Sequence, residues 1–442
     1  MANIGFISLG CAKNQVDCER MMYRVQEAGH TVLESVVGAD VVVINTCGFI
    51  DSAKSEAIDH ILQMGQLKNE GLVGKILVTG CLSQRYQTEI LDEMPEADGV
   101  LGTGSYTKIV PAIEGLLANE NVAEFDSIDA PEEETGRILT TPEHYAFIKI
   151  AEGCDNRCSY CIIPYLRGKF RSRSMDDVLY EARLLAASGV KELIVVAQDT
   201  SRYGTDLTGG RRMLPELLRK LCEIENLHWI RLHYVYPDEI DDELIEVMAS
   251  EPKVLKYLDL PIQHCNSEIL KKMNRRGDEQ FLKDLIAKLR DRIPGLVIRT
   301  SIITGLPGEG EEEFAQLCDF LKEQRMERVG AFPFSPEEGT PAALMEYPDA
   351  AVAQERAEIV ETIQSRIMDD YARKMLGKTL EVLVDGYDEE FQQYFGRTFA
   401  DSPDIDGRVW LASSEDLSVG SFVTVQIDNI IDGDLAGYVL EG

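Results

Sequence analysis

The sequence predicts a multidomain α/β protein with three parts: an N-terminal βαβ domain built on a parallel sheet, a central partial (β/α)6 barrel, and a small C-terminal antiparallel β-barrel. Two patterns support this. Strand-like and helix-like segments alternate through most of the chain, and short strands without helices follow after residue 371. The length of 442 residues also exceeds the roughly 100–200 residues of a single domain.

Residues 1–117 are predicted to form the first domain. Apolar strand-like runs alternate there with helical patterns, which is typical of βαβ units and a parallel sheet. The strand-like runs are IGFISL, ADVVVINT and GKILVTG. The following segment, residues 118–139, is rich in acidic residues and is interpreted as a linker.

Residues 140–371 are predicted to form the central domain. Repeated strand and helix patterns indicate an open barrel, short of the eight units of a complete one, with its chemistry at the carboxyl ends of the strands. The strand-like segments are YAFIKIAEGC, KELIVVAQDT, WIRLHYVYP, LKYLDLPIQH, LVIRTSIITGLPGE and RVGAFPFSP. Residues 372–442 contain five short strand patterns and resemble a small barrel of the OB-fold kind.

Composition excludes several classes of function. Asp and Glu number 77 against 44 Lys and Arg, so the net charge of −33 disfavours binding to long nucleic acids or anionic membranes. No apolar run approaches the roughly 18–20 residues of a membrane span. The N-terminus lacks the basic start of a signal peptide, and we therefore expect a cytosolic protein whose ten cysteines are reduced.

Three cysteines form the most specific motif. Cys154, Cys158 and Cys161 follow the first strand of the central domain at spacings of x3 and x2. Three thiolates in one loop suit a cubane cluster in which the fourth iron stays open. A structural zinc site is the main alternative, but it needs four ligands, and no fourth cysteine follows within sixty residues. A redox CxxC pair is the remaining alternative.

This motif at the start of a six-unit barrel resembles the radical S-adenosylmethionine (SAM) superfamily over residues 140–371. The resemblance implies a [4Fe-4S] cluster on the three cysteines, with the amino and carboxylate groups of SAM on the open iron. It also implies that Tyr160 lies near the adenine and that Gly305, in the string GLPGE, approaches SAM. Loop packing is the alternative for Tyr160, and a tight turn is the alternative for Gly305.

A second cysteine set lies in the N-terminal domain. Cys11, Cys47 and Cys81 each follow a predicted parallel strand, and parallel strands bring their carboxyl ends to one edge of a sheet. One such cysteine would be attributed to packing, but three at equivalent strand ends beside glycines indicate convergence. The sequence therefore predicts a second three-cysteine cluster with an open iron.

The remaining candidates are less specific. The basic loop 164–173 carries four cations and no acid, and is expected either to attract an anionic group or to be a solvated loop. His233 and His264 lie at strand ends, where they would contact substrate or serve as hydrogen-bonded structural residues. The other cysteines are interpreted as small apolar fillers: Cys18, Cys222, Cys265 and Cys318.

Two three-cysteine sites followed by a small β-barrel resemble the radical-SAM methylthiotransferase family along almost the whole chain. The strings most similar to its ribosomal-protein branch are SLGCAKNQVDCERM, VVINTCGFIDSAKSEAI, VTGCLSQRY, AEGCDNRCSYCIIPYLRGKFRSR and RLHYVYP. The resemblance implies two [4Fe-4S] clusters and SAM as cofactors. It implies hydrogen removal from a carbon by the barrel radical, sulfur from the cluster on Cys11, Cys47 and Cys81, and a methyl group from a second SAM.

The implied substrate is an aspartate of the twelfth small-subunit ribosomal protein, modified at its β-carbon. A reductant protein and a sulfur donor are the other expected partners. The alternatives are the tRNA-adenosine branch of the same family, whose C-terminal domain resembles a TRAM module, and a non-catalytic iron–sulfur protein. Residues 377–442 carry 14 acidic and 3 basic side chains, which opposes RNA phosphates and suits a basic ribosomal protein.

Overall fold

The computed structural model describes residues 1–131 and 133–440. Glu132 of the predicted linker and the last two residues of the predicted C-terminal domain lie outside the described residues. Among the helices of the described part, none combines the length and the apolar character that crossing a membrane requires.

The N-terminal domain is built on a parallel sheet. Its strands in the described residues are β1 (Asn3–Ser8), β2 (Thr31–Val32), β3 (Val41–Thr46), β4 (Lys75–Gly80), β5 (Gly99–Leu101) and β6 (Val122–Glu124). Their spatial order is β2-β1-β3-β4-β5-β6, and neighbouring strands are parallel. Strand β3 is buried along its length, which explains its continuous apolar start. Strand β6 lies inside the predicted linker 118–139, so the sheet extends beyond the predicted boundary at residue 117.

Helices cover both faces of this sheet. In the described residues they are α1 (Ala12–Glu27), α2 (Asp51–Asn69), α3 (Cys81–Tyr86), α4 (Glu89–Glu93) and α5 (Ile109–Leu117), with a 3-10 helix at Thr103–Lys108. Helix α2 packs on one face through residues such as Ile61, whereas Met21 of α1 and Ile113 of α5 pack on the other. Burial on two faces makes this sheet the core of the domain.

The central domain is an open parallel barrel, as predicted. Its strands in the described part are β7 (Tyr145–Lys149), β8 (Ala151–Glu152), β9 (Arg171–Ser172), β10 (Glu192–Val196), β11 (Trp229–Leu232), β12 (Val254–Asp259), β13 (Val297–Thr304) and β14 (Arg328–Pro333). The barrel order is β14-β13-β12-β11-β10-β7, with parallel neighbours. Strands β8 and β9 form a separate antiparallel pair.

Helices of this domain pack mainly outside the barrel. Those of the described residues are α6 (Ile163–Arg167), α7 (Met175–Ala187), α8 (Thr205–Thr208), α9 (Leu214–Cys222), α10 (Asp242–Ser250), α11 (Ser267–Lys272), α12 (Glu279–Arg292), α13 (Glu311–Gln324) and α14 (Ala350–Met375). Short 3-10 helices lie at Thr200–Arg202, Pro237–Glu239 and Pro341–Leu344. Residues such as Val178, Leu217 and Leu317 join the outward faces of the strands in one apolar core.

Two segments from other domains fill the interior of the open barrel. Val16 of α1 packs against inward side chains of the first two barrel strands, which are Tyr145, Phe147, Ile194 and Val196. The loop 398–406 of the C-terminal domain is the second segment. It contacts the barrel where the buried Arg231 guanidinium donates a hydrogen bond to the Phe399 carbonyl at 2.8 Å. The barrel is thus completed by the domains on either side of it.

The C-terminal domain is a closed barrel. Within the described residues it consists of β15 (Thr379–Asp388), β16 (Gln393–Arg397), β17 (Val409–Ala412), β18 (Phe422–Ile431) and β19 (Asp434–Val439), in the order β15-β16-β17-β19-β18. The other four strand pairings of the barrel are antiparallel, as predicted, whereas the pair β17 and β19 is parallel. Helix α14 continues to Met375, past the predicted boundary between residues 371 and 372.

A buried ion cluster ties the predicted linker to both neighbouring domains. The Glu181 carboxylate of α7 lies 2.7 Å from Arg173, 3.2 Å from Arg137 and 3.5 Å from Arg20 of α1. Burial alone raises the pKa of Glu181, but attraction to Arg137, Arg173 and Arg20 outweighs it and lowers the pKa to about 2. Glu181 therefore stays ionised where ordinary carboxylates begin to protonate.

We predict that acid destabilises the protein partly through Glu181. Its pKa lies below the ordinary 4.5, so its stabilisation is complete above pH 4.5 and is lost as the pH falls from there towards 2. A shift of this size corresponds to about 3 kcal/mol of unfolding free energy. Urea unfolding should show that Glu181→Gln loses a similar amount at neutral pH and has a flatter acid profile. The exposed control Glu225→Gln should change stability by less than about 0.5 kcal/mol; an equal change in both variants would contradict the prediction.

Candidate metal centres

The first candidate centre lies at the carboxyl edge of the N-terminal sheet. Cys11 caps the N-terminus of α1, Cys47 follows β3, and Cys81 is the first residue of α3. The strands that carry them, β1, β3 and β4, are neighbours in the sheet. The Cys11 thiol acts electrostatically on both Cys47 and Cys81, and the Cys81 thiol acts on Cys47. The structure therefore brings these three predicted residues together.

Glycines make this convergence sterically possible. Gly10 has a φ of +91°, and a Cβ at this position would lie 2.8 Å from the Cys47 Cβ. A Cβ on Gly48 would lie 2.8 Å from the Leu82 nitrogen, at the start of α3. Real Cβ atoms do not approach this closely, so only glycine permits the loops to meet here.

The second candidate centre lies in the loop between β8 and α6. Cys158 is buried, whereas Cys154 and Cys161 are half-buried. Cys158 acts electrostatically on both of the other thiols, which places the set in one neighbourhood. The Cys161 amide donates to the Cys158 carbonyl at 3.0 Å, which fixes the turn between them. The structure also brings this predicted set together.

A buried cation and two phenols surround Cys158. The Arg275 guanidinium donates to the Tyr236 hydroxyl at 2.8 Å and to the Tyr160 hydroxyl at 3.2 Å. It also donates to the Cys158 sulfur at 3.8 Å, and the Tyr236 hydroxyl lies 2.8 Å from the same sulfur. The fixed positive charge of Arg275 at this distance favours the thiolate form of Cys158 and any negatively charged group bound to it.

The donor chemistry of both sets suits an iron–sulfur cluster. Burial raises the pKa of Cys47 and that of Cys154 to about 11, and a bound metal ion supplies the positive charge that reverses such shifts. A tetrahedral zinc ion would draw thiolates to about 3.8 Å from one another. In the described part of the chain, no three His, Cys, Asp or Glu side chains are spaced for one ion. A cubane attaches each thiolate to a different iron and accepts wider spacing.

A buried ion network connects the two centres. We call Asp17, Lys149, Glu152 and Arg167 the bridging network. The Arg167 guanidinium lies 2.5 Å from the Asp17 carboxylate of α1 and 3.3 Å from the Glu152 carboxylate, and Lys149 pairs with both acids. Arg167 also donates to the Cys81 sulfur at 3.3 Å, while Glu152 lies two residues before Cys154. The network therefore touches one centre and borders the other.

A second contact joins the same two domains beside the first centre. Arg85 of α3 pairs with the buried Glu337, which follows β14, and donates to the Gly48 carbonyl at 3.1 Å. Lys54 of α2 lies 3.0 Å from the same carboxylate. Contacts on two sides of the first centre hold the N-terminal sheet in one orientation over the barrel.

The two predicted cofactor contacts have structural explanations. Tyr160 is buried in an apolar cluster with Ile269, Leu306 and Phe334, which fits the loop-packing alternative. Gly305 has a φ of +75°, and a Cβ there would lie 2.4 Å from the Cβ of Ala353 in α14. Close helix packing thus accounts for this glycine, and its approach to SAM stays a prediction.

The histidines and remaining cysteines agree with their structural alternatives. The His233 ring lies 3.0 Å from the Ser402 hydroxyl of the C-terminal domain, and burial lowers the pKa of His233 well below its ordinary value. His264 is buried and accepts a hydrogen bond from the Asn266 amide at 2.9 Å. Three of the predicted fillers are buried and one is half-buried; these are Cys18, Cys265, Cys318 and Cys222.

Two of the four cations of the basic loop are buried in ion pairs, which neither alternative for this loop expected. Arg167 belongs to the bridging network, and Arg173 lies 2.5 Å from Glu134 and 2.7 Å from Glu181. Both guanidiniums are buried and neutralised, so neither is available to an incoming anion. Lys169 is the exposed cation of the loop. Sequence analysis overlooked these pairings, two of which join distant parts of the chain: Asp17 lies 150 residues from Arg167, and Glu134 lies 39 residues from Arg173.

Sequence analysis also overlooked Asp17, Lys149 and Arg275. Asp17 and Lys149 resemble ordinary charged residues of a helix and a strand, and only the structure shows that they are buried together. Arg275 had no signal in the sequence, since it lies in a loop behind α11.

Comparison with protein families divides the chain as follows. Residues 148–321 match the Radical SAM superfamily, and residues 376–440 match the TRAM domain. Residues 3–102 match a family described as uncharacterized protein family UPF0004. The cysteine motif of the barrel lies inside the first match, and the other cysteine set lies inside the third.

Full-length relatives are also found. The ribosomal protein uS12 methylthiotransferase RimO of Caldanaerobacter subterraneus subsp. tengcongensis is 47% identical over 440 residues, which cover 99% of this chain and 100% of that protein. The protein of the same name from Clostridioides difficile is 44% identical over 442 residues, covering 100% and 99%. The radical SAM methyltransferase TsrM from Kitasatospora setae has a solved structure with a TM-score of 0.54 at 13% identity, covering 75% of this chain and 73% of that one. That structural likeness shows the fold.

We predict that replacing Cys154, Cys158 and Cys161 together by alanine abolishes cleavage of SAM. These residues are the thiols of the barrel loop, and the expected loss follows from removing all three cysteines predicted to hold a cluster there. The measurement is 5′-deoxyadenosine formation by reconstituted protein, with circular dichroism to establish folding. The matched control is Cys222→Ala on a barrel helix, which should retain activity. Appreciable 5′-deoxyadenosine from the triple variant would refute this assignment.

We predict a different result for Cys11, Cys47 and Cys81. Since these residues belong to a separate sheet, their replacement by alanine should roughly halve the iron and sulfide content while SAM cleavage survives. Iron and sulfide analysis beside the 5′-deoxyadenosine assay measures both effects. Iron content equal to that of the unaltered protein would return these cysteines to a structural role.

Proposed function

This chain belongs to the family of ribosomal protein uS12 methylthiotransferases, and from that membership we propose that it adds a methylthio group to the β-carbon of an aspartate in uS12. The observation that carries the proposal at the level of the site is the pair of three-cysteine sets joined through the bridging network. A reaction that forms a carbon–sulfur bond needs a carbon radical and a sulfur source close together. Two centres held by one rigid network meet that need.

As a radical SAM protein, the chain takes a [4Fe-4S] cluster and SAM. We assign this cluster to Cys154, Cys158 and Cys161. When bound, the cluster and SAM supply the electron transfer that cleaves SAM and yields a radical able to remove hydrogen from carbon. Arg275 and Tyr236 hold the Cys158 sulfur through hydrogen bonds and place a positive charge beside it.

We assign a second [4Fe-4S] cluster, as the source of sulfur, to Cys11, Cys47 and Cys81. Arg167 donates to the buried Cys81 sulfur and orients it. Cys11 is the exposed member of the set. A group held by these three thiols would be shielded near Cys81 and accessible near Cys11, which leaves a path for the substrate.

The charge of the chain supports a protein substrate. Acidic side chains outnumber basic ones by 33, and a basic ribosomal protein would be attracted and oriented by that field. The same field opposes the phosphates of tRNA. Because the reaction consumes electrons and sulfur, we also expect a reductant protein and a sulfur donor as partners, and a cytosolic site of action where ribosomal proteins are assembled.

We predict that the reconstituted protein, given SAM, reductant and sulfide, increases the mass of uS12 by one methylthio group. Tandem mass spectrometry should place the addition on an aspartate, and a uS12 variant with asparagine at that position should remain unmodified. Association should weaken as salt screens the exposed charges. If tRNA adenosine were methylthiolated instead while the mass of uS12 stayed unchanged, the tRNA branch would be the correct assignment.

A further inference from the structure

Lys13 of α1 is a buried cation in an unusual environment. Its side chain is 8% exposed, and its Nζ lies 3.4 Å from the ring centroid of Tyr234. No carboxylate of residues 1–131 or 133–440 lies within 4 Å of this nitrogen. In a chain with 77 acidic residues, a buried lysine whose near partner is a tyrosine rather than a carboxylate requires an explanation.

The surroundings of Lys13 favour its charged form without giving it a carboxylate partner of its own. Burial opposes the ammonium form, whereas the Tyr234 hydroxyl, the Cys11 thiol and Glu152 favour it. Lys13 is the second residue of α1, where the positive end of the helix dipole repels a cation. Glu152 is already paired with Lys149 and Arg167. The ammonium group can therefore pair with the carboxylate of a ligand.

The position of Lys13 lies between the two candidate centres. Lys13 is two residues after Cys11, whose thiol acts on it electrostatically. Its ring partner Tyr234 belongs to the segment after β11, and Tyr236 of the same segment lies 2.8 Å from the Cys158 sulfur. Lys13 therefore lies near Cys11 of the first centre and packs on the segment that carries Tyr236 to the second.

We propose that the Lys13 ammonium group binds the side-chain carboxylate of the substrate aspartate and so positions the adjacent β-carbon between the two centres. This inference rests on the proposed function, which supplies the aspartate. The carboxylate carbon is bonded directly to the β-carbon, so fixing the carboxylate fixes the reacting atom. A charged pair in a buried site also discriminates strongly against a neutral amide.

The test compares two uS12 peptides that span the modified residue, one with aspartate and one with asparagine at that position. Binding to the reconstituted protein with SAM, without reductant, is measured by fluorescence anisotropy. The unaltered protein should bind the aspartate peptide about tenfold or more tightly than the asparagine peptide. In Lys13→Met the aspartate peptide should lose this advantage, whereas the affinity for the asparagine peptide should stay the same. Lys13→Arg should restore part of the preference.

Controls separate this inference from the proposed function. The exposed Lys169→Met variant should keep the full preference, and Lys13→Met should keep its iron content and its cleavage of SAM without substrate. An unchanged aspartate preference in Lys13→Met, while the unaltered protein methylthiolates the peptide, would overturn the inference alone. Slower modification of the aspartate peptide with unchanged binding would also overturn it, since Lys13 would then act on sulfur. Failure of the unaltered protein to modify the peptide would overturn both.

Discussion

The bridging network is the interaction on which the rest of the structure depends. Asp17, Lys149, Glu152 and Arg167 are all buried, carry no net charge together, and connect α1 with the first strand and the first loop of the barrel. A buried ion network is weak evidence for stability, because well-packed apolar residues would hold two domains equally well. The network nevertheless permits only one arrangement of the two domains, since each buried charge needs an opposite charge within bonding distance. We infer that it fixes the orientation of the two centres rather than adding net stability.

The same constraint explains why an incomplete barrel is sufficient. A sheet that does not close leaves inward side chains and strand edges to be covered. Here Val16 of α1 covers the inner face of β7 and β10, and Phe399 and Ser402 from the C-terminal domain meet Arg231 and His233. The core of the barrel is therefore shared among all three domains. Helix α1 carries Cys11 at its N-terminus, and its next turn fills the barrel. The packing of this helix in the core therefore also fixes the position of the Cys11 thiol.

Sequence predicted those features that depend on local pattern. The spacing of Cys154, Cys158 and Cys161 is local, and the convergence of the other set follows from the rule that parallel strands end together. The parallel sheet and the open barrel followed from the alternation of elements. Pairings over long distances did not: Arg167 appeared to be a free cation because Asp17 lies 150 residues away. Sequence also did not predict that β17 pairs in parallel with β19, or that the first sheet extends to β6. Short strands contain too few residues for an alternating hydrophobic pattern to identify them.

The net charge of the whole chain and the charge near the two centres have opposite signs. The chain as a whole carries a net charge of −33, yet the region between the centres contains Lys13, Lys149, Arg167 and Arg275, all buried. Lys149 and Arg167 are balanced by Asp17 and Glu152, and Arg275 is surrounded by hydroxyls and a thiol. Lys13 is the one of these four that meets neither carboxylate nor sulfur within bonding distance in the part of the chain described. An acidic exterior attracts a basic partner as a whole, whereas an unbalanced internal cation selects a single acidic side chain from it, and the combination gives both capture and specificity.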